Sequence, residues 1–420
     1  MRTEACTLTP SAPTFYRCTH CLLCGSIDLP VVLPLAPSAV GNDYLPEPRR
    51  QETFSLSLRL CRSCGNVQIE DVVHPDLLFR SYTYATKHSL GLLKHCQQAA
   101  ADAARRAAAP AGSLVVDVGS NDGSLLAAFR ELGYRVLGVD PAVDIAERAT
   151  AAGLETLPEY FTAALAEEIR DRYGPAALVT ANNVFAHSDR LPDMADGIRT
   201  LLAADGLFIF EVSYLLDIVQ KMLFDTVYHE HLCYHSVRSL AAFFRRHGLE
   251  LIDAERLPTK GGSLRGTVQR AGGPRPPSPA VAHLLEWEEV LGLHSPDTFR
   301  AFGQRIDRAR DEFVTVLDRL RARGRRIAGY GASPTVTTLL HHFDLGRRLD
   351  FLVDDNPVKQ NTFSPGQHLP VYPSEALYER GADVVAVLAW NYAQPIVARH
   401  EAFAERGGRF VVPLPSLLLL

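Results

Sequence analysis

The chain has 420 residues, 47% hydrophobic and 22% charged, with 43 basic side chains against 48 acidic ones and a net charge of −5. That length suffices for about two or three domains with cores of their own. The acidic balance argues against a nucleic acid as main partner, because a phosphate backbone asks for a basic face, and no apolar run reaches the ~18 residues that read as a membrane span.

The first residues, Met1-Arg-Thr-Glu-Ala-Cys6, form no apolar signal core. Most of the eight cysteines fall in Cys-x-x-Cys spacings, which in a chain without a signal read as metal ligands, not disulfides. A cytoplasmic protein is expected. The closing Leu417–Leu420 is too short to span and is expected to close the last strand or pack on the body.

Cys18-x-x-Cys21-x-x-Cys24-Gly25 and Cys61-Arg-Ser-Cys64-Gly65 come first. Two Cys-x-x-Cys-Gly knuckles offer four thiolates to one tetrahedral zinc, with each glycine letting the chain turn its amides toward sulfur. Cys18 competes with Cys24, but only the Cys21/Cys24 pair has the trailing glycine that matches the second knuckle. Cys21, Cys24, Cys61 and Cys64 are therefore the expected ligands. An all-cysteine set leaves no open position, so the zinc is structural. The alternation of Phe54, Leu56, Leu58 and Leu60 predicts a strand over 53–60, making residues 1–80 a zinc-stapled β module. Tyr82 and Tyr84 alternate in the following segment and can present both rings to one site or pack as a connecting strand. The Ala-rich 88–109 reads as a helix ended by Pro110.

The sharpest local pattern is Leu114-Val-Val-Asp117-Val-Gly119-Ser120-Asn121-Asp122-Gly123. It reads as an apolar strand ending in an acid, then a glycine turn opening a helix. A second strand ends in Asp140, placed to take ribose hydroxyls. The turn is Gly-Ser-Asn-Asp-Gly, not Gly-x-Gly-x-x-Gly, and its acidity suits a cofactor without a pyrophosphate, S-adenosylmethionine in preference to NAD. A third strand ends at Asn182, Asn183 and His187, and a fourth at Glu211. Ligands of open α/β sheets lie outside the carboxyl ends of strands. His187 can equally be a surface residue. Next comes Phe224-Asp-Thr-Val-Tyr228-His229-Glu230-His231-Leu-Cys-Tyr-His-Ser236. Consecutive His, Glu and His groups can move protons near neutral pH once burial tunes them, and their spacing is not that of a His-Glu-x-x-His zinc site. The bland alternative is a solvated polar loop. A helix over 236–247, a strand from Leu249 and a strand entered through Thr259-Lys260-Gly-Gly-Ser263-Leu-Arg265 complete a doubly wound domain, residues 81–273.

Gly272-Gly-Pro-Arg-Pro-Pro-Ser-Pro279 marks a boundary. Helices are expected over 280–293 and 298–322, followed by a second α/β unit, residues 280–420. In it, Gly331-Ala-Ser333 repeats the strand, glycine turn, helix pattern and Asp354 ends the next strand. That turn can hold a nucleotide diphosphate at its helix N-terminus, or the domain can be a Rossmann-like scaffold without a ligand.

Asp117-Val-Gly-Ser-Asn-Asp-Gly123, Phe224-Asp-Thr-Val-Tyr-His-Glu-His231, Lys260-Gly-Gly-Ser-Leu-Arg265 and Asp354-Asp-Asn-Pro357 together resemble the zinc-containing sugar C-methyltransferases of antibiotic deoxysugar pathways, over nearly the whole chain. The resemblance implies an α/β fold of three parts: a zinc-stapled module, a Rossmann-like S-adenosylmethionine domain and a Rossmann-like nucleotide-sugar domain. It implies that Asp117 to Gly123, Asp140 and Asn182 hold S-adenosylmethionine. Tyr82, His187, Tyr228, Glu230 and His231 would surround the sugar of a thymidine-diphosphate-linked 4-keto-6-deoxyhexose. Asn183, Lys260, Ser263, Arg265, Gly331, Ser333, Lys359 and Asn391 would bind the rest of the substrate. After Ser333 the family commonly shows Ala-Lys-Gly, whereas this chain has Pro334-Thr-Val, so a phosphate-contacting lysine is absent or replaced by Lys359. The implied chemistry is an enolate formed beside the ketone and methylated at C3, with C5 as runner-up. His231 is the expected base, Glu230 positions it or the sugar, and Tyr228, Tyr82 or His187 steadies the C4 oxyanion; a tyrosinate base is the alternative. An epimerase or isomerase, or a non-catalytic zinc-bound nucleotide-binding protein, are the rival readings. A monomer or weak homodimer is expected.

Overall fold

The computed structural model describes residues 14–80 and 91–420. The Tyr82 and Tyr84 expectations lie outside the described residues. Among those described, no helix is long and apolar enough to cross a membrane.

The N-terminal module is built of short strands. Val31–Leu33, Leu58–Leu60 and Val67–Ile69 form an antiparallel sheet. The strand expected over 53–60 is regular only at Leu58–Leu60. Phe54 instead bridges Ser38, because the chain turns around the metal cluster and reaches the rest of the protein through loops. The fourth strand of this sheet is not local. Cys233–Tyr234, directly after the His-Glu-His stretch, pairs antiparallel with Gln68 and Val67.

The central sheet orders its strands Leu249–Leu257, Ser263–Arg270, Leu202–Ser213, Ala176–Asn182, Leu114–Val118, Arg135–Val139 and Thr156–Leu157. The first two pair antiparallel and the rest run parallel. Leu114–Val118 is buried along its whole length, as a strand covered by helices on both faces must be. The chain order reverses between Leu114–Val118 and Ala176–Asn182. A crevice opens at such a point, since the connections leave to opposite faces. Helix Leu92–Ala107 packs its alanines, Ala99, Ala100 and Ala103, against this sheet's core. Helix Val237–Arg246 starts at Ser236, which forms a reciprocal cap with Ser239.

The C-terminal sheet orders Thr362–Phe363, Pro370–Tyr372, Phe351–Val353, Ile327–Tyr330, Val384–Val387, Arg409–Val412 and Leu418–Leu419. Its five inner strands are parallel, and the leucine tail closes the far edge against Val411 and Val412. Here the reversal lies between Ile327–Tyr330 and Val384–Val387. The long helix Pro296–Ala322 buries Phe299, Phe302, Ile306, Ala309, Phe313 and Leu317, a three-to-four spacing that makes one apolar face. One hydrophobic core runs from Leu58 of the zinc module through Phe208 of the central sheet to Val385 of the C-terminal sheet.

Candidate active site and metal centre

The two knuckles fold alike. Gly25 and Gly65 adopt positive φ, +74° and +79°, and donate N–H bonds to the carbonyls of Cys21 and Cys61, each at 2.8 Å. The Sγ atoms of Cys21, Cys24, Cys61 and Cys64 lie within 4.8 Å of one another, the one such group among the described residues. Cys21 stands 3.6 Å from Cys64 and Cys24 3.5 Å from Cys61. A tetrahedral Zn–S₄ centre with bonds of ~2.3 Å has edges of about 3.8 Å, so the cluster fits zinc. The close Cys21–Cys64 contact lowers one thiol of the pair and raises the other, so without a cation the two sulfurs share a proton, and a metal would take its place. Cys18 stands apart, its thiol on the His20 carbonyl at 3.1 Å. Asn66 ties the cluster to the central domain: its amide nitrogen lies 3.7 Å from Cys21 Sγ and 3.7 Å from Cys233 Sγ.

At the crevice of the central sheet, the turn after Leu114–Val118 takes positive φ at Gly119, Asn121 and Gly123. A side chain on Gly119 would strike Val184 Cγ2 at 2.2 Å, so only glycine serves there. Asp140 organises the turn: one carboxylate oxygen accepts the Asn121 N–H at 2.8 Å and the other the Ala142 N–H at 2.9 Å. Asp117 lies deeper, accepting the Thr180 hydroxyl at 2.6 Å, and burial pushes its carboxyl up to about 7. The buried Ser120 hydroxyl has no partner among the described residues, a donor left for a ligand. Asp122 caps the following helix through the Ser124 N–H and hydroxyl. Asn182 ends its strand opposite Glu211, and Asn183, at φ +56°, donates its N–H to the Glu211 carbonyl at 2.7 Å. These groups, gathered at one switch point with a helix N-terminus, fit S-adenosylmethionine.

Glu211 is an acid that the sequence marked only as a strand end. It accepts from His95 Nε2 at 2.9 Å, Thr259 Oγ1 at 2.8 Å and Arg265 Nη2 at 3.2 Å. Burial drives its carboxyl up, but His95, Thr259 and Arg265 together outweigh it and hold the group below the usual range. Arg265 is thus engaged inside the central domain, as is Ser263, whose hydroxyl donates to the Thr259 carbonyl at 3.1 Å.

The Tyr228–His231 stretch is neither a helix nor a solvated loop. Burial covers His229 and Glu230 almost fully, at 1% and 4% exposure. His229 turns away from the crevice to meet Phe54 edge-on at 5.6 Å. His231 turns the other way. Its Nδ1 lies 2.8 Å from the Thr226 carbonyl and its Nε2 2.9 Å from the Tyr228 hydroxyl. A carbonyl only accepts, so the neutral ring carries its proton on Nδ1 and presents the Nε2 lone pair to Tyr228. The Thr226 main chain thus fixes the His231 ring from its Nδ1 side. His187 stacks between Phe79 at 5.6 Å and His231 at 5.1 Å. Burial first, then His231 and Lys260, hold His187 well below the usual histidine range. Burial likewise pulls His231 down to about 4, although the Thr226 bond opposes it.

Lys260, at φ +50°, lies within electrostatic reach of the Glu211 and Glu230 carboxylates. The C-terminal sheet has a switch point of its own. Gly331 takes φ +119°, Ser333 caps helix Pro334–His342, and Asp354 accepts the N–H groups of Ala332 and Asn356 at 2.6 and 2.8 Å. This repeats the Asp140 arrangement. Asn391 is exposed at the same end, against Gly261 of the central domain. Lys359 donates to Asn42 Oδ1 at 2.6 Å and lies 4.3 Å over the Tyr44 ring. Burial draws it down to about 8 against the pull of Asp354, Glu230 and Asp43. No local signal marks Asn42 and Tyr44, which the zinc module's loop carries over the C-terminal domain.

A zinc binding domain family matches residues 21–79, a methyltransferase domain 92–254 and a C-methyltransferase C-terminal domain 258–415. The chain is 36% identical to the C-methyltransferase NovU of Streptomyces niveus over 403 residues, 94% of this chain and 96% of that protein. Among solved structures, the magnesium protoporphyrin IX methyltransferase of Synechocystis PCC 6803 with bound SAM is 15% identical over 43% of this chain and 81% of that one, with a TM-score of 0.34. An S-adenosylmethionine-dependent methyltransferase from Mesorhizobium loti is 17% identical over 42% of this chain and 100% of that one, at 0.33. With its four-cysteine zinc site, its S-adenosylmethionine domain and a C-methyltransferase relative matching nearly end to end, the chain belongs to the family of zinc-containing, S-adenosylmethionine-dependent sugar C-methyltransferases.

Proposed function

We propose that this enzyme methylates the carbon beside the ketone of a thymidine-diphosphate-linked 4-keto-6-deoxysugar, at C3, in the assembly of an antibiotic deoxysugar. The observation that supports this most is the tautomer of His231. A base for carbon acid chemistry needs an unprotonated nitrogen at neutral pH, next to a group able to hold an oxyanion. His231 presents a bare Nε2 beside the Tyr228 hydroxyl, with the imidazole of His187 stacked on its face.

In this reading the C–H bond at the carbon beside the ketone breaks and its electrons move onto the C4 oxygen. The proton ends on His231 Nε2, either directly or through Tyr228, whose oxygen takes it while passing its own proton to the imidazole. His187, Tyr228 or Tyr82 steadies the oxyanion. The 119–123 turn, Asp140 and Asn182 would hold S-adenosylmethionine, which would supply a methyl group on a positively charged sulfur; the enolate carbon would take that methyl as the sulfur–methyl bond breaks, leaving neutral S-adenosylhomocysteine. Glu230 orients the sugar. Gly331, Ser333, Lys359 and Asn391 receive the nucleotide diphosphate at the C-terminal switch point, with Asn183 and Lys260 contributing from the central domain; the low position of Lys359 still leaves it charged near neutrality. Ser263 and Arg265, anchored by Thr259 and Glu211, complete the substrate-binding set.

The test is incubation with S-adenosylmethionine and a thymidine-diphospho-4-keto-6-deoxyhexose in deuterated water, read by mass spectrometry. One added methyl, with deuterium washing into one ring carbon when the cofactor is withheld, supports the reading and locates the carbon. Exchange at C5 moves the assignment to that carbon. Exchange without methylation in the presence of cofactor points to an epimerase and rejects it.

A further inference from the structure

The turn that carries His231 is gripped from the C-terminal domain. Residues 224–227 form a 3₁₀ turn and an extended exit. Trp390, beyond the end of strand Val384–Val387, donates its indole N–H to Asp225 Oδ2 at 2.8 Å. Thr338 of helix Pro334–His342 donates its hydroxyl to the Val227 carbonyl at 2.8 Å. Phe224 packs on Phe343 at 5.5 Å. Between these two holds stands Thr226, whose carbonyl takes the His231 Nδ1 proton.

We propose that Trp390 is a positioning residue for the base: its indole N–H fixes Asp225 and, through the 224–227 turn, the Thr226 carbonyl that sets the tautomer and direction of His231.

Packing alone does not account for the pair. Asp225 is 1% exposed, and its other oxygen, Oδ1, is buried without a partner among the described residues. Burying a carboxyl with half its acceptors unmet is unfavourable, and an apolar side chain would fill the space without that cost. What the carboxyl adds is direction: a single bond across the domain junction that sets where the turn begins. The indole is itself fixed, since Ala389 N–H donates to the Tyr330 carbonyl at 2.9 Å at the end of the sheet. Trp390 also precedes Asn391 at the C-terminal switch point, so a ligand seated there lies one residue from the hold on the base.

The inference rests on His231 being the base, and the experiment separates the two. Solvent deuterium exchange into the keto-sugar and kcat for methyl transfer are measured per S-adenosylmethionine-binding site, counted by calorimetry, which removes any loss of folded protein. Trp390→Phe keeps the ring and loses the N–H. Its exchange rate and kcat are expected to fall together by about 10- to 100-fold, as for a misplaced catalytic group, with both KM values within about twofold. Asp225→Leu should fall equally. Asp225→Asn, whose amide oxygen still accepts from the indole, should recover most of the rate. Trp390→Phe within twofold of the parent enzyme overturns the proposal, as does Asp225→Asn falling as far as Asp225→Leu. His231→Asn is the control: if it still exchanges, the base assignment fails, and if it is inert while Trp390→Phe is normal, only the positioning role fails.

Discussion

The Tyr228 hydroxyl donates to His231 Nε2 at 2.9 Å while the Thr226 carbonyl takes the proton on Nδ1 at 2.8 Å, so both nitrogens of the ring are assigned before substrate arrives. His231→Asn should lower deuterium exchange and methyl transfer by about 10²–10⁴-fold, the usual span of a general base, and leave S-adenosylmethionine affinity unchanged by calorimetry. Tyr228→Phe separates the proton routes. A loss as deep as that of His231→Asn identifies the relay through the tyrosine; a loss below about tenfold identifies direct transfer.

The pH profile of kcat/KM follows from burial. His231 is drawn down to about 4, so the base stays unprotonated well below the ordinary histidine value of ~6.5. The acid limb that His231 contributes should therefore fall near pH 4 to 5, below any inflection from Asp117 and Asp225 at about 7. Loss of all activity by about pH 5.5 in an Asp225→Asn enzyme would reject His231 as a buried neutral base.

Stability should follow pH by the same physics. His229, His231, His235, His294 and His342 all lie near 4. Between about pH 4 and 6.5 the unfolded chain binds their protons and the folded one does not, so these groups favour unfolding as pH falls. Asp117 and Asp225, raised to about 7, act in the opposite sense: between about pH 4 and 7 the folded state holds protons that the unfolded one releases. The five histidines outnumber the two acids. The melting temperature is expected to climb from pH 4.5 to 6.5 in calorimetric scans, and a flat or falling trend would contradict the burial of the histidines.

Metal removal should reach the active site through one short strand pair. Cys233–Tyr234 pairs with Val67 and Gln68 two residues after His231. Cys61→Ser should lower bound zinc below one per chain by elemental analysis, lower the melting temperature and reduce exchange. Structural zinc sites supply folding free energy directly. Full activity in a zinc-free variant would show the module to be independent of the base.

Asp140→Ala removes the acceptor of the Asn121 and Ala142 N–H groups. A bond to a charged partner is worth about 1.5–3 kcal/mol, so S-adenosylmethionine affinity should fall by about 10- to 100-fold in titration calorimetry, with zinc content unchanged.

Much of this protein follows from local order along its chain. Paired Cys-x-x-Cys-Gly knuckles, apolar runs ending in acids and glycines at Gly119, Gly123 and Gly331 are short-range signals, because metal chelation, strand burial and positive φ act over a few residues. The zinc cluster, the two α/β units and the crowding of Tyr228, Glu230 and His231 were legible for that reason. The two imidazoles of His229 and His231 looked equivalent there, and only the folded chain sends one to Phe54 and the other to Tyr228. The partners that decide the chemistry are remote in sequence: Asp225 with Trp390, Lys359 with Asn42 and Tyr44, Glu211 with His95 and Arg265, Cys233 with Asn66. No periodicity carries such pairings. They arise when three separate layers close on one apolar core, and that closure holds the 224–227 turn whose Thr226 carbonyl determines which His231 nitrogen is unprotonated.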